Sequence, residues 1–283
     1  MLSINLFIED IELTLLDDIK IILDLLNENR FIDAENEINK LIDNFSNSSI
    51  LFNMRGAVFA GQNKLEKALD NYNKAIKIKP NYEQAYNNLG IALHKLNKLE
   101  DAVKSYKTAI NLNDNFAEAY NNLGNAMRDL NNFSEAIVNL KKAVKIKPDY
   151  AEAFNNLGGA YQERGNNKEA LTNFKKAIEI RPNYTEAYNG IGLVFDKLSM
   201  YEEALSSFER AIKLNPEYEK PYNNIGNLLG HLGRHDEATL NYHKAINLKP
   251  DYAKAYSNLL FNLIYKPSFD IDYYLEGLIS DAE

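Results

Sequence analysis

The chain of 283 residues has no cysteine and no tryptophan, only seven prolines and only four histidines. Without cysteine, disulfide frameworks, thiolate nucleophiles, zinc fingers and iron–sulfur clusters are excluded. Long apolar runs are missing as well, and nothing approaches the ~18 uninterrupted apolar residues of a membrane helix. The apolar N-terminal stretch has no basic region before it and is broken by Glu9, Asp10 and Glu12, so it makes a poor secretory signal. The default compartment is therefore cytoplasmic, where the Asn-x-Ser/Thr matches at Asn47, Asn132 and Asn183 have no use as glycosylation acceptors. An excess of positive charge is also lacking, since the formal net charge is −8. Residues 1–48 hold 11 acids and 3 bases, residues 49–252 hold 24 and 27, and residues 253–283 hold 5 and 2. The acidity sits at the two ends and the middle is nearly balanced. Nucleic acid would need a basic groove with interleaved aromatics, and acidic membranes a basic face, so neither is expected as a partner.

A 34-residue period dominates what is present. It runs without insertion through six copies, 49–82, 83–116, 117–150, 151–184, 185–218 and 219–252. Gly fills position 8 of every copy (Gly56, Gly90, Gly124, Gly158, Gly192, Gly226). Ala fills position 20, from Ala68 to Ala238, and position 27, from Ala75 to Ala245. Position 4 is aromatic, position 24 is large, and Pro closes five copies at position 32, with Asp114 in the odd one. At 3.6 residues per turn, positions 4, 7, 8 and 11 share one helix face, and 20, 24 and 27 share another. The small residues allow the two helices to approach closely, with bulk from positions 4 and 24 beside them. Pro at 32 cannot continue the second helix. Each unit is then an antiparallel helix pair that buries its apolar faces only by stacking on its neighbours.

This pattern resembles the tetratricopeptide repeat (TPR), and the resemblance implies an all-α superhelical solenoid of antiparallel helix pairs. Tyr or Phe stands where the family often has Trp. Counting back from Ser49 gives a degenerate copy over 15–48 inside an N-terminal cap, 1–48. Its core residues are Ile21 and Leu25 in the first helix, then Phe31, Ala34, Ile38 and Leu41, with Ile22 replacing the Gly. Counting forward, residues 253–283 begin with one more first helix, Ala253 to Tyr265, with Tyr256, Leu259 and Leu263 in the expected slots.

Enzyme chemistry finds no foothold in these residues. No strand precedes a glycine loop, and Gly158-Gly159 belongs to the repeat. His231 and His235 are spaced i, i+4, but Gly233 and Arg234 fall in the turn between two helices, so both read as solvated side chains and no metal is expected. No cofactor is expected. One ladder rises above the packing pattern. Positions 2, 6, 9 and 13 lie opposite the packing face of the first helix. By resemblance, that face lines a concave groove. Position 6 carries Asn88, Asn122, Asn156, Asn224 and Asn258, interrupted by Met54 and Gly190. Position 5, at the edge of the same face, carries Asn53, Asn87, Asn121, Asn155, Asn189 and Asn223, then Ser257. An Asn amide both donates and accepts, so a row of amides can grip an extended peptide with little regard to its side chains. On that reading the amides are spare, and their truncation leaves stability unchanged. The competing explanation is inherited consensus. The chain contains 39 Asn, with 25 Lys against 7 Arg, the bias of an AT-rich genome, which also explains turn residues such as Asn131, Asn132, Asn166 and Asn167. Adaptors that clamp a C-terminal carboxylate share the fold but need Lys at position 5, which is absent here.

After the last full repeat, Ser257-Asn258-Leu259-Leu260-Phe261, Tyr265 and Pro267 resemble the junction in O-linked N-acetylglucosamine transferases (the SPINDLY-like group included). Those enzymes also carry an Asn ladder at position 6. The resemblance implies a UDP-GlcNAc-dependent catalytic region following Asp272, and the sequence given stops at Glu283, so no catalytic or donor-binding residue is carried over. The expectation is a scaffold that binds proteins or peptides. The alternative is the substrate-recruiting arm of such a glycosyltransferase, continued covalently into its catalytic region.

Overall fold

The structure, a computed structural model, describes residues 17–265, and among them there are helices and no strand. Contacts divide the chain into two compact units, 1–147 and 148–283. In the first unit, α1 (helical over 17–27) precedes α2 (Phe31–Asn44) and three helix pairs. The pairs are α3 (Ser49–Gly61) with α4 (Leu65–Ile78), α5 (Glu83–Lys95) with α6 (Leu99–Leu112), and α7 (Ala117–Asp129) with α8 (Phe133–Ile146). The second unit holds α9 (Ala151–Glu163) with α10 (Asn167–Ile180), α11 (Thr185–Lys197) with α12 (Tyr201–Leu214), and α13 (Glu219–His231) with α14 (His235–Leu248). A single helix, α15 (Ala253–Ile264), follows them. Residues 1–16 of the N-terminal cap, and Pro267 with the rest of the junction-like tail, lie outside the described residues.

Small and large residues interlock within each pair. The alanines of positions 20 and 27 are fully buried throughout. The large side chain of position 24 does not merely lie beside the glycine of position 8 but sits on it. A Cβ on Gly90 would stand 2.5 Å from the Tyr106 ring, and one on Gly158 would stand 2.7 Å from Phe174. The N-terminal segment solves the same volume problem differently. Ile22 occupies the glycine slot and is fully buried, as is Ile38 at position 24, so two medium side chains replace one ring and a hydrogen. Ile21, expected in the core, is 52% exposed.

The turn within each pair follows a steric rule. Position 15 adopts a left-handed backbone in every copy: Asn29, Asn63, Asn97, Asn131 and Ser199 have φ of 57–59°, and Gly165 and Gly233 have +86° and +74°. The following residue returns its N–H to a carbonyl five residues back, as Lys64 does to Phe59 at 2.8 Å, which satisfies a carbonyl left over at the helix end. Asn131 therefore has a steric reason to be Asn, since Gly and Asn tolerate φ > 0 best. Asn132 caps α8 by accepting from the Glu135 N–H. Genome bias is not needed for either residue.

Pair-to-pair turns are set before the proline. Position 31 is extended at Lys79, Arg181 and Lys249, as a residue preceding proline must be. Asn113 is extended too, although Asp114 replaces the proline, because its Oδ1 accepts the Asn115 N–H at 3.1 Å and closes a side-chain turn.

Candidate functional site

First helices of successive repeats touch: α3 with α5 and α5 with α7 in one unit, α9 with α11, α11 with α13 and α13 with α15 in the other. Successive second helices share no comparable contact. The first helices thus lie on the inner, shorter side of each unit, where neighbouring rows converge.

The amides of positions 5 and 6 meet across that convergence. Asn88 Nδ2 donates to Asn53 Oδ1 at 3.0 Å and Asn122 Nδ2 to Asn87 Oδ1 at 3.0 Å. Asn224 donates to Asn189 at 2.8 Å and Asn258 to Asn223 at 2.9 Å. Every bond joins position 6 of one repeat to position 5 of the repeat before it. Position 5 is accordingly sunk between repeats: Asn53, Asn87, Asn121, Asn189 and Asn223 are buried, Asn223 completely. Asn155 is half-buried. Position 6 stays nearer the surface, with Asn88, Asn122, Asn156 and Asn258 half-buried and Asn224 just buried. Within the second unit the pairing fails at one place. Gly190 has no side chain to donate, and Asn155 Oδ1 is buried without a partner. The Phe174 ring occupies the space instead, 2.5 Å from where a Gly190 Cβ would be.

The aromatic residues of position 4 are less enclosed than core packing implies. Tyr120, Tyr188 and Tyr222 each have a cation from position 26 over the ring: Lys142 at 5.9 Å, Arg210 at 5.8 Å and Lys244 at 6.0 Å. Tyr120 and Tyr222 are half-buried. Tyr256 belongs to a helix with no described second helix to cover it and is exposed.

On the face made by positions 2, 6, 9 and 13 of the first helices, charge sits at the helix ends, at positions 2 and 13, with both signs present and some of it paired. His94 Nε2 lies 2.7 Å from the Asp129 carboxylate, joining α5 to α7. Among the described residues no three His, Asp or Glu converge as a metal set, and no helix is long and apolar enough to cross a membrane. His231 ends α13 and His235 begins α14, so the two do not share a helix.

A cleft of about 530 Å³ opens at the end of the second unit, lined by Asp196, His231, Asn258, Phe261 and Tyr265 with the Tyr242 side chain. Its floor is a closed polar network. Asn262 Nδ2 donates to the His235 carbonyl at 2.9 Å and to Thr239 Oγ1 at 3.0 Å, and its Oδ1 faces His235 Nδ1 at 2.8 Å. Tyr242 donates to Asn227 Oδ1 at 2.9 Å. Burial pushes the Asp196 carboxyl up from its ordinary range, with nearby His231 pulling weakly the other way. The cleft was missed in the sequence, but a signal existed. Asn262 occupies position 10, where every complete repeat has Ala, Val or Leu.

These pairs of helices, stacked through small residues at a 34-residue period, define a helical-repeat solenoid. Three tetratricopeptide-repeat family models match it: one at residues 56–97, 92–130 and 124–165, a second at 149–217 and a third at 207–239. Together they cover more than half of the sequence, and the chain belongs to the tetratricopeptide repeat family. No curated protein matches it. Among solved structures it is similar to a chain of the APC/C hetero-tetramer Cut9–Hcn1, at TM-score 0.76 and 18% identity, over 86% of this chain and 48% of that one. The chain thus spans about half the length of that relative. A tetratricopeptide repeat protein from Parabacteroides merdae aligns at TM-score 0.71 and 18% identity over 87% and 98% of the two chains. A thermophilic TPR protein from Thermus thermophilus aligns at TM-score 0.58 and 25% identity over 64% and 99%. The first two show the fold alone. The fold is that of protein–protein interaction scaffolds. None of these matches points to the transferase junction, and Ser257 to Phe261 form part of α15.

Proposed function

We propose that the inner side of the first helices binds extended segments of partner proteins, gripping the peptide backbone through the position-6 amides. The observation that carries this reading is the two-tier amide row. Asn88, Asn122, Asn224 and Asn258 each spend one N–H on the repeat before them. A primary amide has a second N–H and a carbonyl oxygen with two lone pairs, which suit a peptide C=O and N–H respectively. Asn156 holds the same position in the first repeat of the second unit. The lower tier is position 5, with Asn121 and Asn155 besides Asn53, Asn87, Asn189 and Asn223, and the last four fix the orientation of the amides bonded to them, so little side-chain entropy is lost on binding. Backbone recognition of this kind accepts many sequences.

The test is a 12-residue peptide selected by display on the full chain, then resynthesised in two forms. Shuffling the side chains, apart from any residue the selected peptides hold in common, should change affinity little, whereas N-methylating alternate backbone amides should abolish binding in fluorescence anisotropy. Binding that survives N-methylation contradicts the proposal.

A further inference from the structure

We propose that the cleft among α11, α13 and α15 takes a basic side chain of the bound segment, arginine before lysine. The assignment rests on the amide row being the peptide-binding face and names the chemistry of one residue in that peptide. Four observations favour a cation there.

The first is charge. Asp196 is the single formally charged residue of the lining, and neither Lys nor Arg is among the residues that line it. Its carboxylate makes no ion pair with Lys or Arg among the described residues. It is also partly withdrawn from water, which raises its pKa and makes an incoming cation more valuable than at an open surface. The second is backbone polarity. Asp196 lies in the last turn of α11, His231 ends α13, and Tyr265 follows the last residue of α15. Three helix C-termini, each the negative end of its dipole, therefore border this cleft, against the single N-terminus of α14 at His235.

The third is an aromatic pair. Phe261 and Tyr265 stand with ring centroids 4.7 Å apart and planes tilted by 50°, and both are more than half exposed. In the other repeats position 9 carries nothing aromatic, so these rings are special to this end of the row. A planar guanidinium stacks on such faces while forking two N–H groups to a carboxylate, which an ammonium does less well. The fourth is continuity with the row. Asn258, whose Nδ2 is committed to Asn223, also lines this cleft, and its carbonyl oxygen adds an acceptor there. A backbone held along the row would bring a side chain to Asp196 as it passes α13 and α15. An acidic or phosphorylated residue would instead meet a carboxylate and three helix C-termini.

The experiment uses the full chain and a random 12-residue display library. Enriched peptides should share a basic residue at one fixed place. In the resynthesised peptide, replacing that Arg by its neutral isostere citrulline should weaken binding about tenfold, the worth of a charge-assisted bond with cation–π contact. Asp196→Asn should reproduce the loss and abolish the difference between Arg and citrulline. Phe261→Ala should weaken the Arg peptide and spare the citrulline one. The melting midpoint separates this from unfolding. Because the Asp196 carboxyl is raised, its ionised form costs stability at neutral pH, so Asp196→Asn should hold or raise the midpoint. A pool without a basic preference, or equal binding of Arg and citrulline forms, overturns this proposal and leaves the amide-row reading intact. A library that yields no binder at all overturns the row reading and this one with it.

Discussion

Asn122→Ala isolates what the lower tier of amides does for the fold. Asn122 Nδ2 donates to Asn87 Oδ1 at 3.0 Å, and Asn87 is 3% exposed, so no bulk water replaces the lost donor. Leaving a buried acceptor unsatisfied costs about 1–3 kcal/mol, whereas removing both partners costs less. For a chain of this size, 1 kcal/mol corresponds to a shift of about 2–4 °C in melting midpoint. The assay is urea unfolding followed by circular dichroism, read as the midpoint at constant slope because repeat arrays need not unfold in two states. Asn122→Ala should lower the midpoint by the equivalent of about 2 kcal/mol. The double variant Asn87→Leu, Asn122→Ala should lose less than the two single changes added together, giving a coupling of about 1 kcal/mol. A wild-type midpoint for Asn122→Ala, or strict additivity, would refute the inter-repeat bond. Stability unaffected by these amides, as their sequence positions suggest, is no longer the expected result.

Other perturbations test the packing and the turns. Gly158→Leu should destabilise by roughly 1–3 kcal/mol, because its Cβ would begin 2.7 Å from the Phe174 ring; an unchanged melting midpoint would refute the register. Ser199→Gly should stabilise by about 1 kcal/mol, since Ser199 alone among the described residues holds a left-handed φ, 59°, without being Asn or Gly, and a loss of stability would show that its side chain matters. Burial raises the Tyr184 and Tyr242 phenols to about 12, and pushes Tyr72, Tyr106 and Tyr218 up as well. A phenol raised in the folded state stabilises below its unfolded pKa of about 10 only as long as it stays protonated, so the folded form must be opened or ionised as pH climbs past that value. Alkaline unfolding should therefore set in between about pH 10 and 12, with late phenolate absorbance appearing together with loss of helix. A single titration near pH 10 with helix intact would contradict the burial.

The 34-residue period carried most of the fold. Gly at 8 with Ala at 20 and 27 needed only helix geometry to be read as a close-packed pair. What the sequence concealed depends on neighbours that lie a repeat away. Asn87 looks like a surface residue until the donor at Asn122, 35 positions later, turns it into a buried one. The break at Gly190 is legible only once the Phe174 ring is seen in the place of an amide. Asn131 looked like compositional bias because a left-handed turn has no hydrophobic signature. Asn262 gave a signal, a polar residue in an apolar slot, but the meaning of that signal came from His235 and Thr239 on the adjoining helix.

Contact between the upper tier of amides and a peptide is the central claim. Side-chain amide ¹H–¹⁵N spectra of the full chain, titrated with a display-selected peptide, address it directly. The resonances of Asn88, Asn122, Asn156, Asn224 and Asn258 should shift together and saturate with the anisotropy curve. If these five stay fixed while residues of the second helices shift, the inner row is not the binding face.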